Sequence, residues 1–155
     1  MYVYLIRHAH AGSRVDGTRD LYRPLSDKGQ LRAGELASML AGKPITRILS
    51  SPATRCTQTV GPLAAATGIE VEEFRELWEG SGIDDVLLLM EQHTTGDLVV
   101  CSHGDIIPEL IDWLGNSGTE VRGHGCEKGS VWILERVKND WVSAHRVKKK
   151  ATSIA

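Results

Sequence analysis

Short runs of apolar, β-branched residues alternate along the chain with stretches whose apolar positions recur every three or four residues. Val3 to Ile6, Ile45 to Leu49 and Leu98 to Cys101 are too short to be helices, and they predict buried strands. Between them, Ala33, Leu36, Ala37 and Leu40 keep the i, i+3, i+4, i+7 spacing of an amphipathic helix, with Gly42 as its expected stop. Ile83, Val86, Leu87 and Met90 repeat the pattern, as do Ile107, Leu110, Ile111 and Leu114 before Gly115. Ser51-Pro52 has the form of an N-cap followed by proline at the first helical position, and Pro62 predicts a kink or break in that helix. Val131 to Val137 and Trp141 to His145, joined through Lys138-Asn139-Asp140, predict a closing antiparallel hairpin.

Strand and helix alternation implies an α/β fold: a three-layer sandwich with a central, mostly parallel mixed sheet and helices on both faces. No repeat, low-complexity tract or linker divides the 155 residues, so residues 1–155 are expected to form a single domain. The tail from Lys148 to Ala155 is expected to be a solvated, frayed terminus.

Composition narrows the function classes. Hydrophobic residues at 41% and charged residues at 25% are ordinary for a globular chain, which excludes disordered, collagenous and coiled-coil classes. Eighteen Lys and Arg against twenty Asp and Glu give a net charge of -2, without the basic field of a nucleic-acid binder. No apolar run approaches 18 residues, and no membrane association is expected. Met1 to Ile6 turns polar at Arg7 with no basic region ahead of it, so it predicts a strand and not a signal peptide. Three cysteines without CxxC spacing suit reduced thiols, and the expected location is cytoplasmic. The pattern does not specify an oligomeric state.

In open α/β sheets, ligands bind beyond the carboxyl ends of the strands. Three polar clusters fall there: Arg7-His8-Ala9-His10 after the first strand, Ser51-Pro52-Ala53-Thr54-Arg55 after the second, and Ser102-His103-Gly104-Asp105 after the third. Two arginines, two histidines and helix N-termini at one edge suit a tetrahedral dianion, because guanidinium forks match phosphate oxygens and helix starts offer free N–H groups. A neutral imidazole in such a cradle can attack phosphorus.

These residues resemble the histidine phosphatase superfamily, which includes the phosphoglycerate mutases. Leu5-Ile6-Arg7-His8-Ala9 resembles its Arg-His-Gly signature, Ser50 to Thr59 its second motif, and Ser102-His103-Gly104 its third. The resemblance implies a phosphoglycerate mutase-like fold and a phosphatase in which His8 is the nucleophile that becomes phosphorylated. Arg7, Arg55 and His103 would bind the phosphate. It also implies a proton donor in a Leu-x-Glu-like stretch, where Phe74-Arg75-Glu76 fits best and Glu79 in Leu77-Trp78-Glu79-Gly80 competes, with neither essential as the third possibility. Ala9 departs from the usual glycine. Phosphohistidine phosphatases of the SixA type are similar in length and in the Arg23-Pro24-Leu25-Ser26 stretch. In that branch the donor is often dispensable, since an imidazole leaves with less help than an alkoxide. Glu127 to Trp132, with Pro108, also resembles phosphatase domains that follow a MutT/Nudix domain in some actinobacteria, which would imply nucleotide or small phosphoester substrates.

The expected reaction is therefore metal-independent hydrolysis of phosphohistidine or small phosphate monoesters, with no cofactor. The expected partner is a phosphorylated small molecule or a phosphohistidine protein. A sugar-phosphate or nucleotide phosphatase, a mutase, and a silent phosphate-sensing module are the alternatives; an intact His8 disfavours the last. His10 is expected at the pocket mouth, and Arg23 either reaches the substrate or pairs with Asp20 or Asp27. His8-x-His10 also has the spacing of a metal pair, but no Asp, Glu or Cys stands at matching spacing on the neighbouring edges. His93, His124 and His145 are expected at the surface, the tryptophans in the core or its rim, and Cys56 and Cys101 as inert core thiols.

Overall fold

The computed structural model describes residues 1–14 and 18–148. The expected tail, from residue 149 on, lies outside the described residues. The element order is β1 (Tyr2–Arg7), α1 (Thr18–Leu21), α2 (Asp27–Leu40), β2 (Ile45–Ser50), α3 (Thr54–Thr67), β3 (Val71–Glu73), a 3₁₀ turn (Arg75–Leu77), α4 (Ile83–Glu91), β4 (Asp97–Ser102), α5 (Ile106–Asn116), β5 (Glu120–Arg122), β6 (Val131–Val137) and β7 (Asp140–Arg146). The strands form one mixed sheet in the order β3-β2-β4-β1-β6-β7-β5. β1 pairs parallel with β4, β2 with both β4 and β3, and β5 with β7; β6 runs antiparallel to β1 and to β7.

Alternation along β1 explains the three layers. Val3 and Leu5 enter the core that holds Val86 and Met90 of α4 and Ile107 and Leu110 of α5. Tyr4 and Ile6 enter the opposite core, with Leu36 and Leu40 of α2 and Val60 and Leu63 of α3. A strand buried on both faces reads as a continuous apolar run, which is why β1 and β4 were visible in the sequence; β2 shows it only at Ile48-Leu49, since Thr46 is exposed and Arg47 half-buried. Burying each such side chain is worth roughly 1.5–3 kcal/mol, so this central trio is the rigid part of the fold.

The sequence expectations fail at several boundaries. Helix α3 begins at Thr54 with Ala53 as its N-cap, not at Ser51-Pro52, because the Ser51 hydroxyl is engaged elsewhere in the turn. Pro62 lies within α3 without ending it. Pro62 and Gln58 are both exposed, so the carbonyl that loses its usual donor sits on the solvent side of the helix. Helix α2 ends at Leu40 with Ala41 as a right-handed cap, so Gly42 is not the stop; the left-handed cap in this pair of helices is Gly68, φ 74°, after α3. Helix α5 runs through Gly115 to Asn116. The hairpin turn is Lys138-Asn139, with Asp140 already paired to Val137.

Candidate active site

β2, β4 and β1 are neighbours in the sheet, so the residues after their carboxyl ends meet at one edge. The backbone holds them there. His8 N–H donates to Ser102 O at 3.1 Å, tying the first cluster to the third. Ser51 N–H donates to Cys101 O at 3.0 Å, tying the second to the third. Because β6 is antiparallel to β1, the segment before it reaches the same edge, and Gly129 N–H donates to Arg7 O and His8 O. Ala9 N–H donates to Thr59 Oγ1 at 2.9 Å, and that hydroxyl in turn donates to Arg55 O.

His8 is 6% exposed. Its Nδ1 lies 2.8 Å from Ala9 O, a carbonyl that only accepts, so Nδ1 carries the proton and Nε2 keeps its lone pair. Burial pushes the His8 pKa down to about 3; the Ala9 hydrogen bond opposes this, and the neighbouring His103 ring and the charges of Arg55 and Arg7 add to it. The ring is therefore neutral throughout the physiological range, with a lone pair on Nε2. His103 stands edge-on to it, with ring centroids 5.4 Å apart.

Arg55 is fully buried although it is a long cation on the first turn of α3. It donates to Asp20 O at 2.9 Å and pairs with Asp20 Oδ2 and Glu79 Oε1, each at 3.4 Å, and Trp78 lies 5.5 Å away against the guanidinium. Arg7 is half-buried, and its Nη1 donates to Cys126 O at 2.8 Å. Arg7 Nε, Arg55 Nε and His103 Nδ1 are buried with no hydrogen-bond partner among the described residues. Unpartnered buried nitrogens beside a neutral imidazole can meet the oxygens of an anion such as a phosphoryl group.

Gly104 follows from the same geometry. A β-carbon there would lie 2.5 Å from Arg7 Cζ and 2.6 Å from its Nε, so only a bare backbone lets the guanidinium lie across the start of α5.

The structure brings Arg7, His8, Arg55 and His103 together, as the motifs require. His10 and Arg23 line a cleft of about 450 Å³ beside Arg7 and His8, with Arg14 and Lys128. His10 Nδ1 is 2.6 Å from Ser26 Oγ. Arg23 pairs with Asp20 at 2.9 Å and donates to the Ala11 and Gly12 carbonyls. Glu76 is not brought in: it is exposed on the 3₁₀ turn, which closes toward Leu77 and points residue 76 outward. The carboxylate that reaches the cluster is Glu79, held by Arg14 at 3.0 Å and by Arg55. Its loop is fixed by Ser102 Oγ donating to Leu77 O and by Gly80 N–H donating to Asp105 Oδ2. Burial raises Glu79, but the Arg14 hydrogen bonds, the neighbouring His103 ring and the charges of Arg14 and Arg55 outweigh it and hold the group below the usual carboxylate range.

Asp20, one of the two expected partners of Arg23, does pair with it, is 5% exposed, and also pairs with Arg55, a contact that carries no spacing signal in the sequence. Cys56 is not an isolated core thiol, because its Sγ lies 3.6 Å from His103 Nε2. Among the tryptophans, Trp132 is core, Trp78 packs edge-on to His103 at 5.2 Å, and Trp113 is 43% exposed. His93 is half-buried, its Nδ1 2.7 Å from Leu89 O. Among the described residues, no group of three or more His, Cys, Asp or Glu is placed to hold a metal ion, and no helix is long and apolar enough to cross a membrane.

Comparison with known proteins agrees with this geometry. The family model for the histidine phosphatase superfamily (branch 1) matches residues 3–84. An 8-oxo-(d)GTP phosphatase of Mycolicibacterium smegmatis is 31% identical over 150 residues, which cover 92% of this chain and 46% of that protein. The chain thus spans about half the length of that relative. Among solved structures, the protein histidine phosphatase SixA complexed with tungstate shares the fold with a TM-score of 0.74, at 21% identity over 96% of this chain and 95% of that one. A putative phosphohistidine phosphatase SixA from Agrobacterium tumefaciens gives a TM-score of 0.68 at 25% identity, covering 87% of this chain and 91% of that one. With its motifs in order at one sheet edge and the family model matching more than half its length, this chain belongs to the histidine phosphatase superfamily (branch 1).

Proposed function

We propose that this protein is a phosphatase that hydrolyses phosphohistidine or small phosphate monoesters without a metal ion, through a phosphohistidine formed on His8. The observation that carries this reading is the Nδ1 hydrogen bond to Ala9 O, which leaves the Nε2 lone pair of a buried neutral imidazole directed away from the backbone. His8 Nε2 attacks phosphorus, an N–P bond forms, and the bond to the leaving nitrogen or oxygen breaks with its electron pair. Water then attacks the phosphohistidine, releasing inorganic phosphate and returning the lone pair to Nε2. Arg7, Arg55 and His103 bind the transferring oxygens, supplying by preorganised charge what a cation would otherwise supply.

The state of Glu79 favours leaving groups that need little protonation. Held ionised by Arg14 and Arg55, it has no proton of its own to donate in the free enzyme near neutral pH. A phosphoramidate such as phosphohistidine suits such a site better than an alkyl ester does. Glu79 takes the place of Glu76 in this reading as the glutamate beside Arg55. A nucleotide substrate is the second reading. The basic rim of Arg14, Arg23 and Lys128 beside the cradle favours it, as does the activity named for the mycobacterial relative.

Rapid-quench labelling with a phosphorylated substrate tests the mechanism. The expected product is an acid-labile, base-stable phosphoenzyme that His8→Ala abolishes, formed at the same rate after exhaustive chelation. An adduct on another residue, or a chelation loss restored by zinc or manganese, overturns it. A substrate panel of phosphohistidine protein, sugar phosphates and nucleotides then separates the two readings.

A further inference from the structure

The two ring nitrogens of His103 have different surroundings. Nε2 lies 2.9 Å from Ser51 Oγ and 3.6 Å from Cys56 Sγ, whereas Nδ1 is buried with no hydrogen-bond partner among the described residues. Ser51 is fully buried and His103 is 2% exposed, so water does not arbitrate between the tautomers. A neutral imidazole carries one N–H, and the partner of one nitrogen decides which nitrogen holds it. Ser51 Oγ already accepts the Ala53 N–H at 3.2 Å, which leaves the hydroxyl its own proton to give. The acceptor within reach is His103 Nε2. With Nε2 filled, the ring proton is on Nδ1, and Nδ1 becomes a donor. The opposite tautomer would turn a lone pair toward a phosphoryl oxygen.

We propose that Ser51 is a positioning residue whose hydroxyl fixes His103 as the Nδ1–H tautomer, so that a neutral imidazole serves as a phosphoryl-oxygen donor. This rests on the reading of Arg7, Arg55 and His103 as the phosphoryl cradle. The groups facing His103 are His8 and Trp78 edge-on, Cys56 on the Nε2 side, and the charged Arg55 and Glu79. Cys56 is the competitor. Its S–H points toward Ser102 O at 3.8 Å, which leaves Nε2 to Ser51. A Cys56 thiolate would instead draw a second proton onto Nε2 and make the ring an imidazolium.

Nitrogen-15 NMR of histidine-labelled protein at pH 7.5 distinguishes these arrangements, since protonated and bare ring nitrogens resonate far apart. The wild-type protein is expected to show His103 with Nδ1 protonated and Nε2 bare. Ser51→Ala should lose that preference, lower kcat on p-nitrophenyl phosphate by about 10-fold, and gain an alkaline decline in rate as His103 comes to depend on imidazolium formation. Ser51→Thr, which keeps the hydroxyl, should restore both, and Cys56→Ala should retain the wild-type tautomer. An Nε2–H tautomer, an imidazolium in the wild type, or a Ser51→Ala protein with unchanged spectrum and pH profile overturns the proposal; the wild-type spectrum decides even if the variants fail to fold. Titration with inorganic phosphate separates the two layers of inference. If His103 shows the expected tautomer but Nδ1 does not respond to phosphate, the cradle reading fails while the Ser51 assignment stands.

Discussion

Gly104→Ala is the sharpest probe of the cradle, because it alters no charge and no hydrogen bond. The glycine is not in the left-handed region, so alanine costs nothing in backbone strain. Its β-carbon, however, would sit 2.5 Å from Arg7 Cζ, 2.6 Å from Nε and 2.8 Å from Nη2. Carbon atoms in contact prefer about 3.5–4.0 Å, so the guanidinium must retreat by about 1 Å. It cannot retreat freely, since Nη1 is bonded to Cys126 O at 2.8 Å and the Arg7 backbone is locked in β1. Overpacking of this kind costs roughly 1–3 kcal/mol of stability, which a domain of this size can survive. Misplacing a transition-state ligand by 1 Å costs up to about 100-fold in rate, or about 2.7 kcal/mol of transition-state stabilisation. Gly104→Ala should therefore remain folded by circular dichroism while kcat/KM on p-nitrophenyl phosphate falls by about 10- to 100-fold. Inhibition by inorganic phosphate should weaken in parallel. A folded variant with wild-type kcat/KM would mean that Arg7 does not hold the transferring group.

Much of this arrangement was legible in the sequence, for a physical reason. β1 and β4 are buried on both faces and appear as uninterrupted apolar runs, β2 carries Thr46 and Arg47 ahead of its buried Ile48-Leu49, and whatever follows each strand must lie at the same edge once they pair parallel. Arg7-His8, Ser51 to Arg55 and Ser102-His103 were located that way. β3 and β5 were not, because three-residue edge strands such as Val71–Glu73 and Glu120–Arg122 are only partly buried and leave no period to detect. The choice between Glu76 and Glu79 turned on the 3₁₀ turn of Arg75–Leu77, which rotates the chain so that residue 76 faces water and residue 79 faces Arg55. Nothing in the residue order fixes that rotation. Ser51 was taken as a helix cap because serine before proline usually is one; here its hydroxyl meets His103 across 52 residues of sequence, a contact that local pattern does not encode.

Glu76→Gln should leave kcat/KM within a factor of two on every substrate, and Glu79→Gln, which removes an ionised carboxylate with no proton to give, should not slow an alkyl phosphate more than p-nitrophenyl phosphate; a selective loss of about 100-fold on the alkyl phosphate would mark Glu79 as the proton donor and overturn its reading as ionised. The last prediction concerns pH and stability. In the native state His8 is held down to about 3, chiefly by burial, against an ordinary 6.5 in the unfolded chain. Between these values the unfolded state binds a proton that the native state refuses, so stability must rise with pH across the window and fall as pH drops from about 6.5 toward 3. The full shift corresponds to at most about 5 kcal/mol, reached only near the bottom of the window and lessened by whatever structural relaxation protonation allows. Urea unfolding at pH 7 and pH 5 should therefore show a loss of about 2 kcal/mol in the wild type from this residue, with a visibly smaller loss in His8→Ala. The variant isolates the histidine because it leaves the carboxylates, which also titrate at the acid end, in place. If His8→Ala loses as much stability as the wild type between those two pH values, the imidazole is not buried as a neutral group, and its standing as a ready nucleophile at neutral pH falls with it.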